Sequence, residues 1–92
     1  MGSSSSVSKG DEASVNQMIA DNPVMVFSKS YCPFCDKTKQ LLTNNGVTFK
    51  AFELDEQKNG AALQAALKKL SGQNTVPNVY INKQHIGGND KM

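Results

Sequence analysis

The sequence has little of what several common functional sites require. Its 92 residues include two cysteines, one histidine and no tryptophan, and the net charge is +2. Two cysteines exclude a disulfide-rich secreted scaffold and fit a reducing compartment, and the small, dispersed charge does not indicate a nucleic-acid-binding surface. No window is apolar enough to cross a membrane, and no signal peptide is visible. We therefore expect one small cytoplasmic domain, with neither nucleic acid nor a membrane among its partners.

The N-terminal residues differ in composition from the rest of the chain. Residues 1–6 read MGSSSS, a low-complexity pattern typical of a leader or tag. We expect residues 1–10 to be a disordered leader and residues 11–92 to form the folded domain. If the leader stands in place of a native presequence, an organelle is the alternative location.

Cys32 and Cys35 lie three residues apart, where an apolar run gives way to a helical pattern. Residues 24–27 (VMVF) indicate a short, fully buried strand. The apolar spacing after Pro33 indicates a helix, and proline is favoured at the first helical position. Cys32 would then cap this helix, where free N–H groups and the helix dipole stabilise an anion. Because the reactive form of cysteine is the thiolate, we expect Cys32 to be reactive, with Lys29 as a nearby cation.

The spacing of the two cysteines also suits a reversible disulfide. Residues i and i+3 of a helical turn are neighbours, and Cα atoms about 5–5.5 Å apart lie within the range for a disulfide. Such a small loop adds little chain-entropy stabilisation, so a redox switch is favoured over a structural brace. Two alternatives stay open. One is a pair of unreactive thiols, and the other is a zinc site shared between chains, since one chain offers only two cysteines and His85 where four ligands are needed.

The remaining patterns predict an α/β domain. We expect helices and strands in the order α-β-α-β-α-β-β, over residues 11–20, 24–28, 33–44, 47–53, 59–70, 76–81 and 85–86. The first strand–helix–strand unit implies a parallel pair with a right-handed crossover. The last two strands imply an antiparallel hairpin. The expected fold is a mixed four-stranded sheet flanked by helices.

Three motifs in this order resemble the glutaredoxin family. They are CPFC at residues 32–35, TVP at residues 75–77 and GGND at residues 87–90, and the resemblance covers about residues 12–90. The centre does not resemble that of ordinary thioredoxin, which reads Trp-Cys-Gly-Pro-Cys. The resemblance implies a thioredoxin-like fold and a glutathione-dependent thiol–disulfide oxidoreductase of the dithiol class. It also implies glutathione as the reducing co-substrate and no bound cofactor.

The resemblance implies a role for each cysteine. Cys32 is the nucleophile that takes the glutathionyl group from a protein–glutathione mixed disulfide, and a second glutathione releases it. Cys35 resolves the intermediate when the substrate is a protein disulfide, by closing the Cys32–Cys35 bond. The expected partners are therefore glutathione and proteins that are glutathionylated or contain disulfides.

The resemblance further implies a glutathione site made of nine residues: Lys29, Tyr31, Gln64, Thr75, Val76, Pro77, Gly88, Asn89 and Asp90. Lys29 would hold the glycyl carboxylate through its charge, and Gln64 through its amide N–H groups. Tyr31 would flank the nucleophile and contact glutathione. Two of these side chains also have a simpler interpretation. Gln64 fits an ordinary polar residue on a helix face, and Tyr31 fits a partly buried aromatic side chain.

Two backbone segments complete the implied glutathione site. A cis proline at Pro77 would leave the Val76 backbone groups free to pair with the cysteinyl part of glutathione, like an added strand. The GGND turn would hold the γ-glutamyl end, with an N–H near Asn89 on its carboxylate and Asp90 on its ammonium. The simpler interpretations are that Pro77 opens an edge strand and that GGND is a surface turn.

The sequence departs from the family pattern at its C-terminus. Glutaredoxins continue past the Gly-Gly motif into a further helix, whereas this sequence ends at Met92. We therefore expect the domain to be truncated there, less stable than a longer chain, and without the helix that usually holds Asp90. An inactive shortened chain is accordingly an alternative to an active enzyme.

A binding module is the second alternative. In it, two chains share an iron–sulfur cluster through Cys32 and two glutathiones. Pro33 disfavours this, because it stiffens the helix start. We expect an enzyme that is a monomer.

Overall fold

The computed structural model describes residues 9–88 of the chain. Within this range the elements are α1 (Lys9–Asp21), β1 (Val24–Ser28), α2 (Pro33–Asn44), β2 (Lys50–Glu53), a 3₁₀ turn (Leu54–Glu56), α3 (Gly60–Ser71), β3 (Asn78–Ile81) and β4 (Gln84–Gly87). The predicted order of helices and strands is confirmed, and the 3₁₀ turn is the element that the sequence patterns did not predict. None of these described helices has the length and apolarity needed to span a bilayer.

The four strands form one sheet in the order β2-β1-β3-β4. β1 pairs in parallel with β2, and the connection between them runs through α2. β3 is antiparallel to both β1 and β4. The predicted mixed four-stranded sheet flanked by helices is therefore confirmed. This order places the carboxyl end of the central strand β1 directly before the loop that carries Cys32.

The side chains of β1 alternate between two apolar clusters, one on each face of the sheet. Met25 and Phe27 pack on the face covered by α1 and α3, together with Val15, Ile19, Leu54, Leu63, Ala66, Leu67 and Tyr80. Val24 and Val26 pack on the opposite face, against Leu42 of α2 and Val79 of β3. All five residues of β1 are buried, as the apolar run predicts. Because α2 is held against a central strand, its N-terminus has a fixed position.

Two strands are shorter than their sequence patterns predict. β2 begins at Lys50 rather than at residue 47. The Val47 N–H donates to the Leu42 carbonyl at 2.9 Å, which keeps this segment bound to the end of α2, while Val47 still packs against the second cluster. β3 begins at Asn78 rather than at residue 76, so Val76 belongs to the preceding loop. Alternating burial therefore extends beyond the hydrogen-bonded ladder before β2, whereas β3 begins only after Pro77, which has no N–H to donate.

β1 and α2 have the predicted bounds, and the remaining elements differ by one or two residues. α1 begins at Lys9, two residues before the predicted start. β4 covers Gln84–Gly87 rather than 85–86. It follows a two-residue turn in which Asn82 and Lys83 have positive φ angles of 49° and 69°, the geometry of a type I′ hairpin. The Asn82 N–H donates to the Pro23 carbonyl at 2.7 Å, which ties this hairpin to the start of β1.

Gly60 allows α3 to begin in close contact with the 3₁₀ turn. A β-carbon at Gly60 would lie 2.0 Å from the backbone oxygen of Leu54, a separation that no side chain tolerates. α3 begins at this residue, one position after the predicted start. The 3₁₀ turn is thereby held against the helix, and the turn carries an acidic residue that supports the active-site loop.

Candidate active site

Cys32 occupies the N-cap of α2, as its place before Pro33 predicts. Its backbone is extended, with φ −99° and ψ 110°, and its sulfur accepts a hydrogen bond from the Cys35 N–H at 3.2 Å. The Cys32 N–H donates to the Lys29 carbonyl at 3.2 Å, which turns the chain from β1 into the helix. A sulfur at this cap lies where the helix dipole and a free N–H favour negative charge.

The two thiols are free and differ in their exposure. Cys32 is partly exposed, whereas Cys35 is fully buried one turn into α2. Burial first, followed by the hydrogen bond and charge of Cys32, raises the pKa of Cys35 to about 12, although the Lys29 backbone and the charge of Lys39 act in the opposite direction. With Cys32 free, Cys35 is therefore a neutral thiol at physiological pH. The site has one accessible sulfur and one sulfur held behind it.

The loop before β3 lies against the accessible sulfur. The Val76–Pro77 peptide bond is cis. The thiol of Cys32 donates to the Val76 carbonyl across 3.8 Å, so this backbone group faces the nucleophile. Pro77 is buried and Thr75 is exposed. The two motifs that were recognised separately in the sequence, CPFC and TVP, thus meet in space.

Gln73 supports this loop and was missed from the sequence. Its amide nitrogen donates to the carbonyls of Thr75 and Pro77, each at 2.9 Å. The Gln73 N–H in turn donates to the hydroxyl of Ser71 at 3.1 Å. A glutamine between a helix end and a proline is too common a pattern to have predicted this contact.

Asp55 supports the segment that leads into Cys32, and it was also missed. The Ser30 N–H donates to Asp55 Oδ1 at 2.9 Å, and the Ser30 hydroxyl donates to Oδ2. These bonds from the Ser30 hydroxyl and N–H, with a smaller effect of the Lys29 charge, hold the pKa of Asp55 below its usual value. The Ser30–Asp55 contact joins the loop after β1 to the 3₁₀ turn, so the position of Lys29 and Tyr31 depends on both.

Two aromatic side chains flank Cys32 on the surface. Tyr31 is 70% exposed and Phe34 is 57% exposed. The simpler interpretation of Tyr31 as a partly buried aromatic is therefore wrong. The ammonium of Lys37 lies 5.4 Å from the centroid of the Phe34 ring. Cys32 therefore lies between two residues with exposed aromatic side chains, one before it and one after it in the chain.

Two further predicted site residues, Gln64 and Gly88, lie on α3 and just after β4. Gln64 is on α3, partly buried, and donates to the Asn74 carbonyl at 2.9 Å, which sets it beside the start of the TVP loop. Gly88 is partly buried and is the last residue that the structure describes, whereas Asn89 and Asp90 lie outside the described residues. The predicted site of the γ-glutamyl end is therefore represented here by Gly88 alone.

A charged cluster of Lys39, Glu53 and Ser28 was not predicted from the sequence. The Lys39 ammonium lies 2.6 Å from Glu53 Oε2, and the Ser28 hydroxyl donates to the same oxygen at 2.7 Å. Burial alone would lower the pKa of Lys39, but the hydrogen bond and charge of Glu53, with smaller effects of Asp36 and Cys35, raise it. Lys39 therefore stays protonated beside the buried thiol.

Comparison with known proteins agrees with this geometry. Residues 24–86, more than half of the chain, match the family model described as glutaredoxin. The chain is 55% identical over 78 residues to a glutaredoxin of Solanum lycopersicum, covering 85% of this chain and 72% of that protein. It is 54% identical over 78 residues to glutaredoxin-C6 of Oryza sativa subsp. japonica, covering 85% and 70%. The crystal structure of a buckwheat glutaredoxin–glutathione complex matches with a TM-score of 0.89 at 43% identity, covering 90% of this chain and 76% of that one.

The matched region contains the parts of the site that carry the chemistry. It includes Cys32, Cys35 and the loop at Val76 and Pro77, and the structural match confirms the predicted thioredoxin-like fold. An accessible capping thiol with a second thiol behind it is a centre for thiol–disulfide exchange. The chain belongs to the glutaredoxin family, the glutathione-dependent thiol–disulfide oxidoreductases.

Proposed function

We propose that this enzyme reduces both protein–glutathione mixed disulfides and protein disulfides through Cys32 and Cys35. The observation that carries the proposal is the contrast between an accessible sulfur at the cap of α2 and a buried thiol one turn behind it. A single accessible sulfur is enough for exchange with glutathione. The second thiol adds an internal route for releasing a bound protein.

In the first reaction Cys32 acts alone. Its thiolate attacks the glutathionyl sulfur of the substrate, the substrate S–S bond breaks, and the protein sulfur leaves and takes up a proton. The N–H of Cys35 already donates to the Cys32 sulfur, which stabilises the anion before the attack. A second glutathione then attacks the Cys32–glutathione disulfide, which regenerates Cys32 and releases glutathione disulfide.

In the second reaction Cys35 resolves a disulfide between Cys32 and a protein. Two of the causes that raise the pKa of Cys35, the hydrogen bond to Cys32 and the charge of Cys32, are removed once the Cys32 sulfur is part of a disulfide. The pKa of Cys35 therefore falls in the intermediate in which it must react. Cys35 remains protected until Cys32 has been used, because burial excludes external disulfides.

We propose that glutathione binds across the surface around Cys32. Support comes from the buckwheat relative, whose crystal structure is a complex with glutathione. The glycyl carboxylate would interact with Lys29 and Gln64, whose donor to Asn74 uses one of its two amide N–H groups. The exposed ring of Tyr31 would contact the glutathione backbone. The cysteinyl part would pair with Val76, whose carbonyl already faces the reacting sulfur.

The site for the γ-glutamyl end, the oligomeric state and the cellular location are also part of the proposal. Gly88, Asn89 and Asp90 are assigned to the γ-glutamyl carboxylate and ammonium by resemblance alone. We propose that the enzyme is a monomer and that it is located in the cytoplasm. The family matches do not favour the alternative of an iron–sulfur scaffold.

Two serine variants assayed side by side test the proposed function. Cys32→Ser should lose both glutathione-coupled reduction of a small mixed disulfide and reduction of a protein disulfide, because Cys35 is buried. Cys35→Ser should keep the first activity and lose most of the second. A parallel assay coupled to thioredoxin reductase distinguishes glutathione from thioredoxin reductase as the source of electrons. Equal loss of both activities in the two variants would refute the assigned roles.

A further inference from the structure

The charged cluster of Lys39, Glu53 and Ser28 connects the active-site helix to the ends of two strands. Lys39 follows Cys35 by four positions on α2, so the two side chains lie on the same face of the helix. Ser28 and Glu53 are register partners at the ends of β1 and β2, and the Ser28 hydroxyl and the Lys39 ammonium contact the same oxygen of Glu53. The ammonium of Lys39 is therefore held at the ends of β1 and β2, on the helix face that also carries the buried thiol.

The cluster is well shielded from solvent. The side chains of Lys39 and Glu53 are 23% and 19% exposed, and Ser28 is fully buried. Among the described residues, the second oxygen of Glu53 is buried without a hydrogen-bond partner. Burying a carboxylate oxygen in this way costs stability, and a buried ion pair of this kind is weak evidence for a stabilising role. The position of this ion pair, on the helix face that carries Cys35, points to a functional role instead.

We propose that Lys39, held by Glu53 and Ser28, is a positioning residue that stabilises the Cys35 thiolate while it attacks the sulfur of Cys32. The inference rests on the proposed use of Cys35 as the resolving thiol. The proposal assigns Lys39 to the closure step, in which the Cys32–Cys35 bond forms and both reacting sulfurs belong to the protein.

The closure step balances without any further reactant. Cys35 gives up its proton and its sulfur bonds to Cys32, while the bond between Cys32 and the substrate sulfur breaks. The departing sulfur leaves as a thiolate and takes up one proton, so the substrate is reduced and the cysteine pair is oxidised. Negative charge forms on the Cys35 sulfur during this step, inside the protein. Lys39 is the cation placed to interact with it, and the charge effects between the two residues are reciprocal.

The effect should be confined to reactions that use Cys35. The attack of Cys32 on an external disulfide requires no charge on Cys35, so Lys39 should influence that step little. Lys37 provides a matched control, since it is a lysine on the same helix whose ammonium lies over the exposed Phe34 ring. Removing either lysine changes the charge of α2 by one unit, but only Lys39 acts on the buried thiol.

Rapid mixing of the reduced enzyme with glutathione disulfide separates the two steps. Acid quenching and mass spectrometry distinguish enzyme glutathionylated at Cys32 from enzyme with the closed Cys32–Cys35 bond. We expect Lys39→Met to slow closure about tenfold, as the loss of one nearby charge implies, with glutathionylation changed by less than about twofold. Lys39→Arg should restore closure to within about threefold of wild type, because the charge is kept. Lys37→Met should leave both rates near the wild-type values.

A second variant keeps the test informative if Lys39→Met fails to fold. Lys39→Met leaves Glu53 charged and unpaired, which destabilises a partly buried site. Lys39→Met/Glu53→Gln removes both charges and should also close slowly, because the ammonium is missing. Wild-type closure in folded Lys39→Met or in the double variant would overturn the inference, as would failure of Lys39→Arg to restore the rate. If Cys35→Ser instead retains full protein-disulfide reduction, the proposed function itself is wrong.

Discussion

Cys32 and Cys35 share one turn of helix but have opposite surroundings. Cys32 caps α2 between two residues with exposed aromatic side chains, whereas Cys35 is buried on the helix face that also carries Lys39 of the Lys39–Glu53 ion pair. The residue type is the same, so the difference arises from position relative to the helix start. A CxxC motif at a helix N-terminus therefore gives its two sulfurs different exposure, and the proposed order of reaction rests on that difference.

The two sides also depend on different kinds of interaction. The loops beside Cys32 are held by polar contacts such as Ser30 with Asp55 and Gln73 with Thr75. The side of α2 that carries Cys35 is held by apolar packing of Leu42 against β1 and β3. Substitutions in the packed layers should therefore have larger effects on stability than substitutions in the loop supports.

The largest effect on stability is expected from Gly60→Ala. Alanine is the better helix former by about 1 kcal/mol, but its β-carbon would meet the Leu54 backbone oxygen at 2.0 Å. The clash should dominate and lower the free energy of unfolding by about 1–3 kcal/mol. Chemical denaturation measures this. Ala61→Gly, at the exposed neighbouring position, should cost no more than about 1 kcal/mol, and a more stable Gly60→Ala variant would show that α3 has room to move.

Lys29→Ala and Gln64→Ala should weaken glutathione use on the Cys32 side. Loss of a charged carboxylate partner should raise the KM for glutathione about tenfold in Lys29→Ala, and loss of the amide donor about threefold in Gln64→Ala. Alkylation of Cys32 should change less, because in the proposed site both groups contact the glycyl carboxylate rather than the sulfur. Lys50→Ala, at the opposite end of β2 from Glu53, is the charge-matched control. Unchanged KM values in both site variants would mean that the carboxylate site lies elsewhere.

Asp55→Asn should have a small effect that depends on pH. The pKa of Asp55 is lowered from 3.8 in the folded protein, so its carboxylate stabilises the fold above the unfolded value, and this contribution is lost as pH falls through the lowered pKa. The melting temperature of wild type should exceed that of Asp55→Asn at neutral pH, and the difference should shrink once the pH falls below 3.8. A difference that persists undiminished in acid would show that the Ser30 contact does not depend on the charge.

The parts of the site at the start of α2 were predictable. The buried run of β1, the proline at the start of α2 and the spacing of the cysteines together locate the cap, because all three lie within one short segment of the chain. The supports were not predictable, because Ser30 meets Asp55 and Ser28 meets Glu53 across 25 positions, and only the pairing of β1 with β2 brings them together. The predicted start of β2 was wrong because Val47 is packed like a strand residue but does not belong to the hydrogen-bonded ladder.

Selective alkylation tests the central contrast between the two sulfurs most directly. Reduced, folded enzyme is treated with iodoacetamide at about pH 8, where a free thiolate reacts, and the modified peptides are mapped by mass spectrometry. We expect modification of Cys32 first, with Cys35 unreactive until the protein is unfolded, because the Cys35 side chain is fully buried. Comparable labelling of both cysteines in the folded protein, or faster labelling of Cys35, would contradict the assignment of Cys32 as the accessible nucleophile.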